Sequence, residues 1–356
     1  VEGKRRNKEE SKGTRPVEFL YLDQEAVIAA GVLDMRRALR VVGEAQARFA
    51  RGEVREPQKI VLRNAETAES EAQGRFNGLA ASIGRPERSV IGMKWIASFP
   101  GNPLAGRPRA SALIILNCPE TGVPLAVMDG GLISAMRTGA MTGLGVRYLA
   151  PKQTRKIGIA GTGLQSRTQI LGLWTELPGV EEIALFGRQS SVAENVAEGC
   201  RKRWGAPVRT VRSAEEALRD ADVALTVTTA QEPLMFARHI KPGALTIQLA
   251  GHECEFGVIQ QCRKLVADDW ETVKLRGIMT PALMHREGLL RDENIYANLG
   301  ELILGKKMGR ESDERIHFCH MGMAVNDVAL AHAVYEDARE WKLGVRLPLW
   351  KEPLWI

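Results

Sequence analysis

Two short stretches of the chain carry side chains able to do chemistry. In "LAGHECEFG" (249–257), His252, Glu253, Cys254 and Glu255 are adjacent, and each type can ligate zinc or iron. Neighbours on an extended strand point alternately to opposite faces, so four in a row cannot converge on one ion. No HExxH pair or paired CxxC spacing exists elsewhere to complete a site, and "HFCH" (317–320) fails on the same ground. No metal is expected. What is left for the stretch is a catalytic acid or a polar loop. In "VIGMKWIASF" (90–99), Lys94 interrupts an apolar, strand-like run. A lone cation in such a run either snorkels at an edge or lines a site.

A third stretch carries backbone chemistry. "GIAGTGLQS" (158–166) contains Gly161-Thr162-Gly163-Leu164-Gln165-Ser166, a GxGxxS turn. Gly161 permits the tight turn, and Gly163 lets the backbone approach a pyrophosphate. The helix that opens at Leu164 and Gln165 offers free N–H groups and a positive dipole end to the phosphates. The turn follows a strand, opens a helix and precedes a second strand, which is the context a dinucleotide site requires. The second strand ends in Phe186-Gly187-Arg188 with no acid to bond a ribose 2′-hydroxyl. Arg188 can pair with a 2′-phosphate, which favours NADP(H), with NAD(H) the alternative. Thr228, at the end of "VALTVTTA", joins the expected cofactor-binding set.

These residues need elements to hold them. The 356 residues suit two domains, and the modest net charge of +6 fits an anionic cofactor and substrate rather than nucleic acid. The polar tail (1–16) has basic residues without interleaved aromatics and reads as solvated. Residues 17–132 mix a helix over 33–52 with strand-like runs at 59–63, 89–99 and 111–117 and a hairpin over 117–131, predicting an antiparallel or mixed sheet. From 133 helices alternate with short apolar strands at 156–163, 182–187, 223–230, 244–251 and 264–269, which predicts a doubly wound parallel sheet. Two capping pairs, Ser191 with Glu194 and Ser213 with Glu216, mark helix starts. An amphipathic helix over 322–344 returns to the first unit. The expected fold is therefore α/β: a Rossmann domain (133–317) inserted in a discontinuous α+β substrate and dimerisation domain (17–132 plus 318–356). Five cysteines without CxxC spacing fit a reducing cytoplasm, no apolar run is long enough to span a membrane, and no secretory signal is visible.

The blocks "GMKWIASFPGNP" (92–103), "RASALIILNCPETGVPLAVMDGGLISAMRTGA" (109–140), the GTGLQS turn and "GMAVNDVALAHAVYEDA" (322–338) resemble the ornithine cyclodeaminase/mu-crystallin family over nearly the whole chain after residue 17. The resemblance implies a nicotinamide cofactor acting on a C–N bond next to a carboxylate, in a homodimer. It implies that Lys94 lies beside the reacting carbon, that Arg137 binds the substrate carboxylate and that Thr138 approaches the cofactor phosphates. It also implies carboxylate-binding roles for Lys59 and, with the register open by a residue or two, for Arg75. Glu253 takes the place of the acid that meets the substrate amine, and His320 stands near the nicotinamide. Arg109 is a further cation where alanine dehydrogenase-like members have a small or apolar residue, which suits a substrate with a second carboxylate. The acid here is Glu followed by "CEFG", where ornithine cyclodeaminase and alanine dehydrogenase have a "PGK"-type turn, and this disfavours ornithine cyclisation.

The leading expectation is thus an NAD(P)-dependent amino acid dehydrogenase or imine reductase, with Lys94 and Glu253 as its catalytic residues and a small amino, imino or 2-oxo acid as partner. Two alternatives stand beside it: an ornithine cyclodeaminase-type ammonia lyase with bound NAD, and an NADPH-binding, crystallin-like protein without much turnover.

Overall fold

A computed structural model describes residues 16–63, 74–84 and 89–352, so the tail lies outside the described residues up to Pro16. The first sheet contains β1 (Val17–Leu22), β2 (Val54–Arg55), β3 (Ile60–Arg63), β4 (Arg75–Ile83), β5 (Val90–Ser98), β6 (Ala110–Asn117), β7 (Pro124–Asp129) and, from the chain's end, β16 (Val345–Trp350). Their order is β16-β1-β7-β6-β5-β4-β2, with β3 also on β4. All pairs are antiparallel except β1 with β7.

Alternation fixes which face is inside. On β6, Ala112, Ile114 and Leu116 are buried while Ser111 and Leu113 are exposed. The covering helices are α1 (Met35–Ala50), α2 (Gly131–Leu149) and α5 (Ala324–Glu340). Helix α5 packs on β4, β5 and β6 and against α1 and α2. Cross-strand register places Leu79, Lys94 and Ile114 in one inward-facing row. Arg63, Arg75, Ser98 and Ala110 form another row four residues further along the same face. At the usual strand rise the two rows are about 13 Å apart.

The second sheet is β8 (Lys156–Ala160), β9 (Glu182–Phe186), β10 (Val208–Thr210), β11 (Val223–Thr226), β12 (Leu245–Gln248), β13 (Lys264–Ala267), β14 (Ala297–Asn298) and β15 (Ile316–Cys319). The order β10-β9-β8-β11-β12-β15-β13-β14 is parallel throughout. Both faces are covered, among others by α3 (Leu164–Glu176) and α4 (Ser190–Trp204), so the inner strands β11 and β12 are buried at every position rather than alternating. Strand β15 spans the sequence-based boundary at 317/318 and is threaded between β12 and β13.

The capping pairs fare differently. Ser213 accepts from the Glu216 N–H at 3.0 Å and starts its helix. Ser191 lies inside α4, whose N-cap is Gln189, and Glu194 instead pairs with Arg201.

Candidate active site

Because the second sheet is parallel, the loops that follow its strands all leave from one edge, the edge at which such sheets bind ligands. The loop after β15 runs through Gly322 directly into α5. Gly322 has φ +89, and a methyl group there would collide with the Arg137 guanidinium from α2. This close approach sets Arg137 beside the first turn of α5, where Asp327 accepts from Arg137 Nε at 3.0 Å. The other oxygen of Asp327 accepts from Lys94 Nζ at 2.6 Å, and Lys94 also donates to Ser134 Oγ at 3.0 Å. Lys94 is 1% exposed and Asp327 0%. Burial alone would raise the Asp327 carboxyl, but Arg137 and Lys94 outweigh it and hold Asp327 below its usual range. Burial lowers the Lys94 ammonium to about 7; Asp327 opposes the shift, while Arg137 and Lys59 add to it.

Lys59, just before β3, is lowered to about 8 by burial and then by Arg276 and Arg137. Glu56 accepts from the Ala324 and Val325 N–H groups at 2.6 and 2.9 Å, at the start of α5. Burial lifts its carboxyl to about 7 against those two bonds. Asp268, after β13, accepts from the Gly322 N–H at 2.8 Å and is raised by burial to about 6. The cluster therefore combines Lys94, Lys59 and Arg137 with Asp327, which stays ionised, and with Glu56 and Asp268, whose raised carboxyls make its charge depend on pH near neutrality.

The glycine turn is built as a phosphate approach. Gly161 has φ +129 and packs on the Val227 carbonyl, leaving no room for a side chain. No atom comes within 4 Å of where a Gly163 side chain would stand, so the space above the N-terminus of α3 is open. Ser166 Oγ donates to the Gly163 carbonyl at 2.6 Å, which explains the small residue at the sixth position. Leu164 is exposed, and the Gln165 side-chain oxygen is buried without a hydrogen-bond partner among the described residues. Arg188 is exposed just past β9. Thr138 turns back on its own helix, donating to the Ser134 carbonyl at 2.6 Å. His320 Nε2 lies 2.9 Å from Thr142 Oγ1, its Nδ1 is buried without a hydrogen-bond partner among the described residues, and burial lowers it to about 3, so the ring is neutral. These residues fit a nicotinamide dinucleotide: an open turn for the phosphates, and buried polar atoms of Gln165 and His320 without a hydrogen-bond partner among the described residues.

The four neighbours of "HECE" go four ways. Glu253 Oε1 accepts from Thr228 N–H at 2.6 Å and Thr228 Oγ1 at 2.7 Å, and Oε2 accepts from Ala250 N–H at 2.9 Å. Cys254 Sγ points to Gln248, Glu255 accepts from Ala237 N–H, and His252 lies against Phe256. Among the described residues no group of three or more His, Cys, Asp or Glu is arranged to hold a metal. Glu253 does not join the Lys94 cluster; its carboxylate ties the loops after β11 and β12 together.

Arg75 and Arg109 also lie apart from Lys94. With Arg63, Ser98, Thr229 and Gln231 they line a cavity of about 330 Å³. A second cavity of about 340 Å³ reaches Lys59, Glu56 and Arg276.

Asp327, Ser134 and Glu56 escape a reading from sequence. Asp327 carried a signal: a lone acid in the apolar run of α5 is the counterpart of Lys94 in β5. Glu56 carried none, because its partners are backbone N–H groups 268 and 269 positions away.

The model of the ornithine cyclodeaminase/mu-crystallin family matches residues 22–342. An alanine dehydrogenase of Archaeoglobus fulgidus is 33% identical over 341 residues, 94% of this chain and 100% of its own. The N-((2S)-2-amino-2-carboxyethyl)-L-glutamate dehydrogenase of Staphylococcus aureus is 30% identical over 94% of this chain and 99% of its own. The structure of Thermococcus litoralis Δ1-pyrroline-2-carboxylate reductase in complex with NADH and L-proline superposes with a TM-score of 0.84 at 29% identity, covering 92% of this chain and 99% of that one.

Proposed function

This chain belongs to the ornithine cyclodeaminase/mu-crystallin family, and from that premise we propose how it works on the C–N bond of its substrate. It is an NAD(P)-dependent oxidoreductase of amino acids or their imines. The carrying observation for the site is the buried Lys94–Asp327–Arg137 group, set against the loop that leaves the parallel sheet.

Arg137 and Lys59 hold the substrate carboxylate, the first with a planar fork of donors and the second as a point charge. The arriving negative charge raises the proton affinity of Lys94, so the lysine becomes a better base when the amine is beside it. In the oxidative direction Lys94 takes a proton from the substrate nitrogen; in the reductive direction it returns one there. Asp327 stays ionised throughout and fixes the lysine's position. Hydride chemistry at the α-carbon would be supplied by the nicotinamide when bound. Gly161, Gly163, Leu164 and Gln165 would hold its phosphates, and His320 would be among the residues that hold the nicotinamide end. Glu253 serves as a tie that shapes the pocket through Thr228 and Ala250. Arg188, with no acid at the end of β9, favours NADP(H) over NAD(H).

The two sheets divide the labour as a substrate and dimerisation domain and a dinucleotide domain. The outer face of the first sheet carries an apolar row, Val345, Tyr21, Val127, Ile115 and Met93, in cross-strand register. Val345 is 57% and Tyr21 38% exposed. A second copy of the chain covers this face in a homodimer. No described helix is long and apolar enough to cross a membrane. All five cysteines are free, which suits a reducing cytoplasm.

The test is a panel of L-amino acids, and of 2-oxo acids with ammonia, run with NAD and NADP while nicotinamide absorbance and ammonia are followed together. Net absorbance change is expected. Ammonia release without it would replace this reading by that of a lyase.

A further inference from the structure

We propose that Glu56 is a positioning residue for the reaction: it clamps the first turn of α5 to the loop that carries Lys59, and so holds Asp327 in place between Lys94 and Arg137. This rests on the oxidoreductase reading above and adds to it a residue that acts only through others.

Helix α5 begins without a cap of its own. Its N-cap residue is Met323, which makes no side-chain hydrogen bond to the free N–H groups of the first turn. Glu56 supplies the acceptors from far away in the chain. One carboxylate oxygen takes the Ala324 N–H at 2.6 Å and the other takes the Val325 N–H at 2.9 Å. Asp327 stands at the end of the same turn.

The loop that brings Glu56 is fixed at both ends. Strands β2 before it and β3 after it both pair with β4, so residues 56–59 close a tight connection on one strand. Glu56 and Lys59 line the same cavity of about 340 Å³. One carboxylate therefore sets Lys59 relative to Asp327. From the other side, Asp268 takes the Gly322 N–H at 2.8 Å, so the chain entering α5 is gripped from both sheets.

The charges around Glu56 argue that the clamp is more than a cap. Burial, Asp327 and Asp268 oppose a negative charge there, and the two N–H bonds stand against them. A serine or asparagine in place of Met323 would cap the helix locally without that opposition. A local cap would not join α5 to the loop of Lys59. The rival anchor for this turn is Gln46 of α1, which donates to Asn326 Oδ1 at 3.0 Å. If Gln46 sufficed, loss of Glu56 would leave the cluster as it is.

The experiment uses Glu56→Gln, which fills the same space with one acceptor oxygen, and Glu56→Asp, which keeps the charge but falls a methylene short. The control is Ser213→Ala, which removes a helix cap after β10. kcat and KM are measured for the best amino acid of the panel at saturating nucleotide, and NADH affinity is measured by fluorescence. Both Glu56 variants should lower kcat about ten- to a hundredfold, the cost of a misplacement on the order of 1 Å, with NADH affinity within about twofold of the wild type. Ser213→Ala should lower the thermal midpoint and leave kcat unchanged. A kcat within about twofold of the wild type in either Glu56 variant overturns the inference. So does a loss of NADH affinity as large as that of kcat, which marks general disruption. Lys94 is read independently of turnover, by the titration of its Nζ in protein carrying isotope-labelled lysine, with the signal assigned through Lys94→Arg. That amine ionises at about 7 beside Asp327, Arg137 and Lys59. In Glu56→Asp, which retains the charge, its pKa should fall by about one unit as Asp327 draws away. An unchanged value overturns the inference even if no substrate in the panel reacts, an outcome that by itself removes only the oxidoreductase reading.

Discussion

Replacing Asp327 by Asn isolates what the buried carboxylate does. Its two oxygens accept from Lys94 at 2.6 Å and Arg137 at 3.0 Å, and none of the three side chains has appreciable contact with water. Asn keeps the shape but leaves two cations facing an amide. Removing one partner of a buried pair in this way costs about 3–5 kcal/mol. The variant has one escape. Lys94 already ionises at about 7, and losing Asp327 removes the main influence that keeps its proton. Its pKa therefore falls below 7, and between that new value and 7 the native variant carries a neutral amine while the unfolded chain binds a proton. Stability of the variant must rise with pH there at about 1.4 kcal/mol per unit. In the wild type Lys94 is protonated in both states below 7 and contributes no such slope. The difference between the two proteins, in which other titrations cancel, should thus be about 3–5 kcal/mol near pH 6 and shrink by about 1.4 kcal/mol towards pH 7. Urea unfolding followed by tryptophan fluorescence at several pH values measures this. A difference below about 1 kcal/mol, or one independent of pH, would refute the claim that Asp327 holds the two cations in their charged positions.

Three further substitutions probe neighbouring features. Gly322→Ala places a methyl against the Arg137 guanidinium at φ +89, so it should raise the KM for the amino acid about tenfold and cost roughly 1–2 kcal/mol of stability; an unchanged KM would detach Arg137 from the carboxylate. Glu56 has its folded pKa raised from 4.5 to about 7, so its contribution is fully present below 4.5 and is lost as pH rises through 7. Glu56→Gln should abolish that loss, up to about 3 kcal/mol across the window, and parallel stability curves for the two proteins would contradict it. Glu253→Gln turns an N–H2 towards donors at Thr228 or Ala250, which should cost about 1–3 kcal/mol and weaken nucleotide binding. A collapse of kcat with stability and nucleotide affinity intact would instead make Glu253 the proton carrier.

Much of the architecture could be read from periodicity. Runs such as 90–99 and 111–117, and the helix–strand rhythm after 133, coincide with β5, β6 and the parallel sheet because each element's burial is written in its own residues. Strands β1, β4, β15 and β16 were harder to read. Val345–Trp350 is exposed at every position and has no alternation to betray it, while "RFNGLAASI" is interrupted by Asn77 and Gly78. The site divided along the same line. Lys94 stood out as a charge inside an apolar run, and the GxGxxS turn carried its own geometry. The bonds from Thr228 and Ala250 to Glu253 could not be read from sequence, because loops from different strands bring them together. Asp327 could have been found by the test applied to Lys94, whereas the pairing of the two is a property of the tertiary fold alone.

That pairing has a temporal consequence. Lys94 and Asp327 are 233 positions apart, and the helix that brings Asp327 is almost the last element of the chain. While the chain is being synthesised, the strand bearing Lys94 lacks the helix that packs on β4, β5 and β6 and the carboxylate that pairs with the lysine. The pair forms only when α5 docks, after every strand of the parallel sheet has been made. A chain that stops before α5 therefore lacks the carboxylate that pairs with both Lys94 and Arg137.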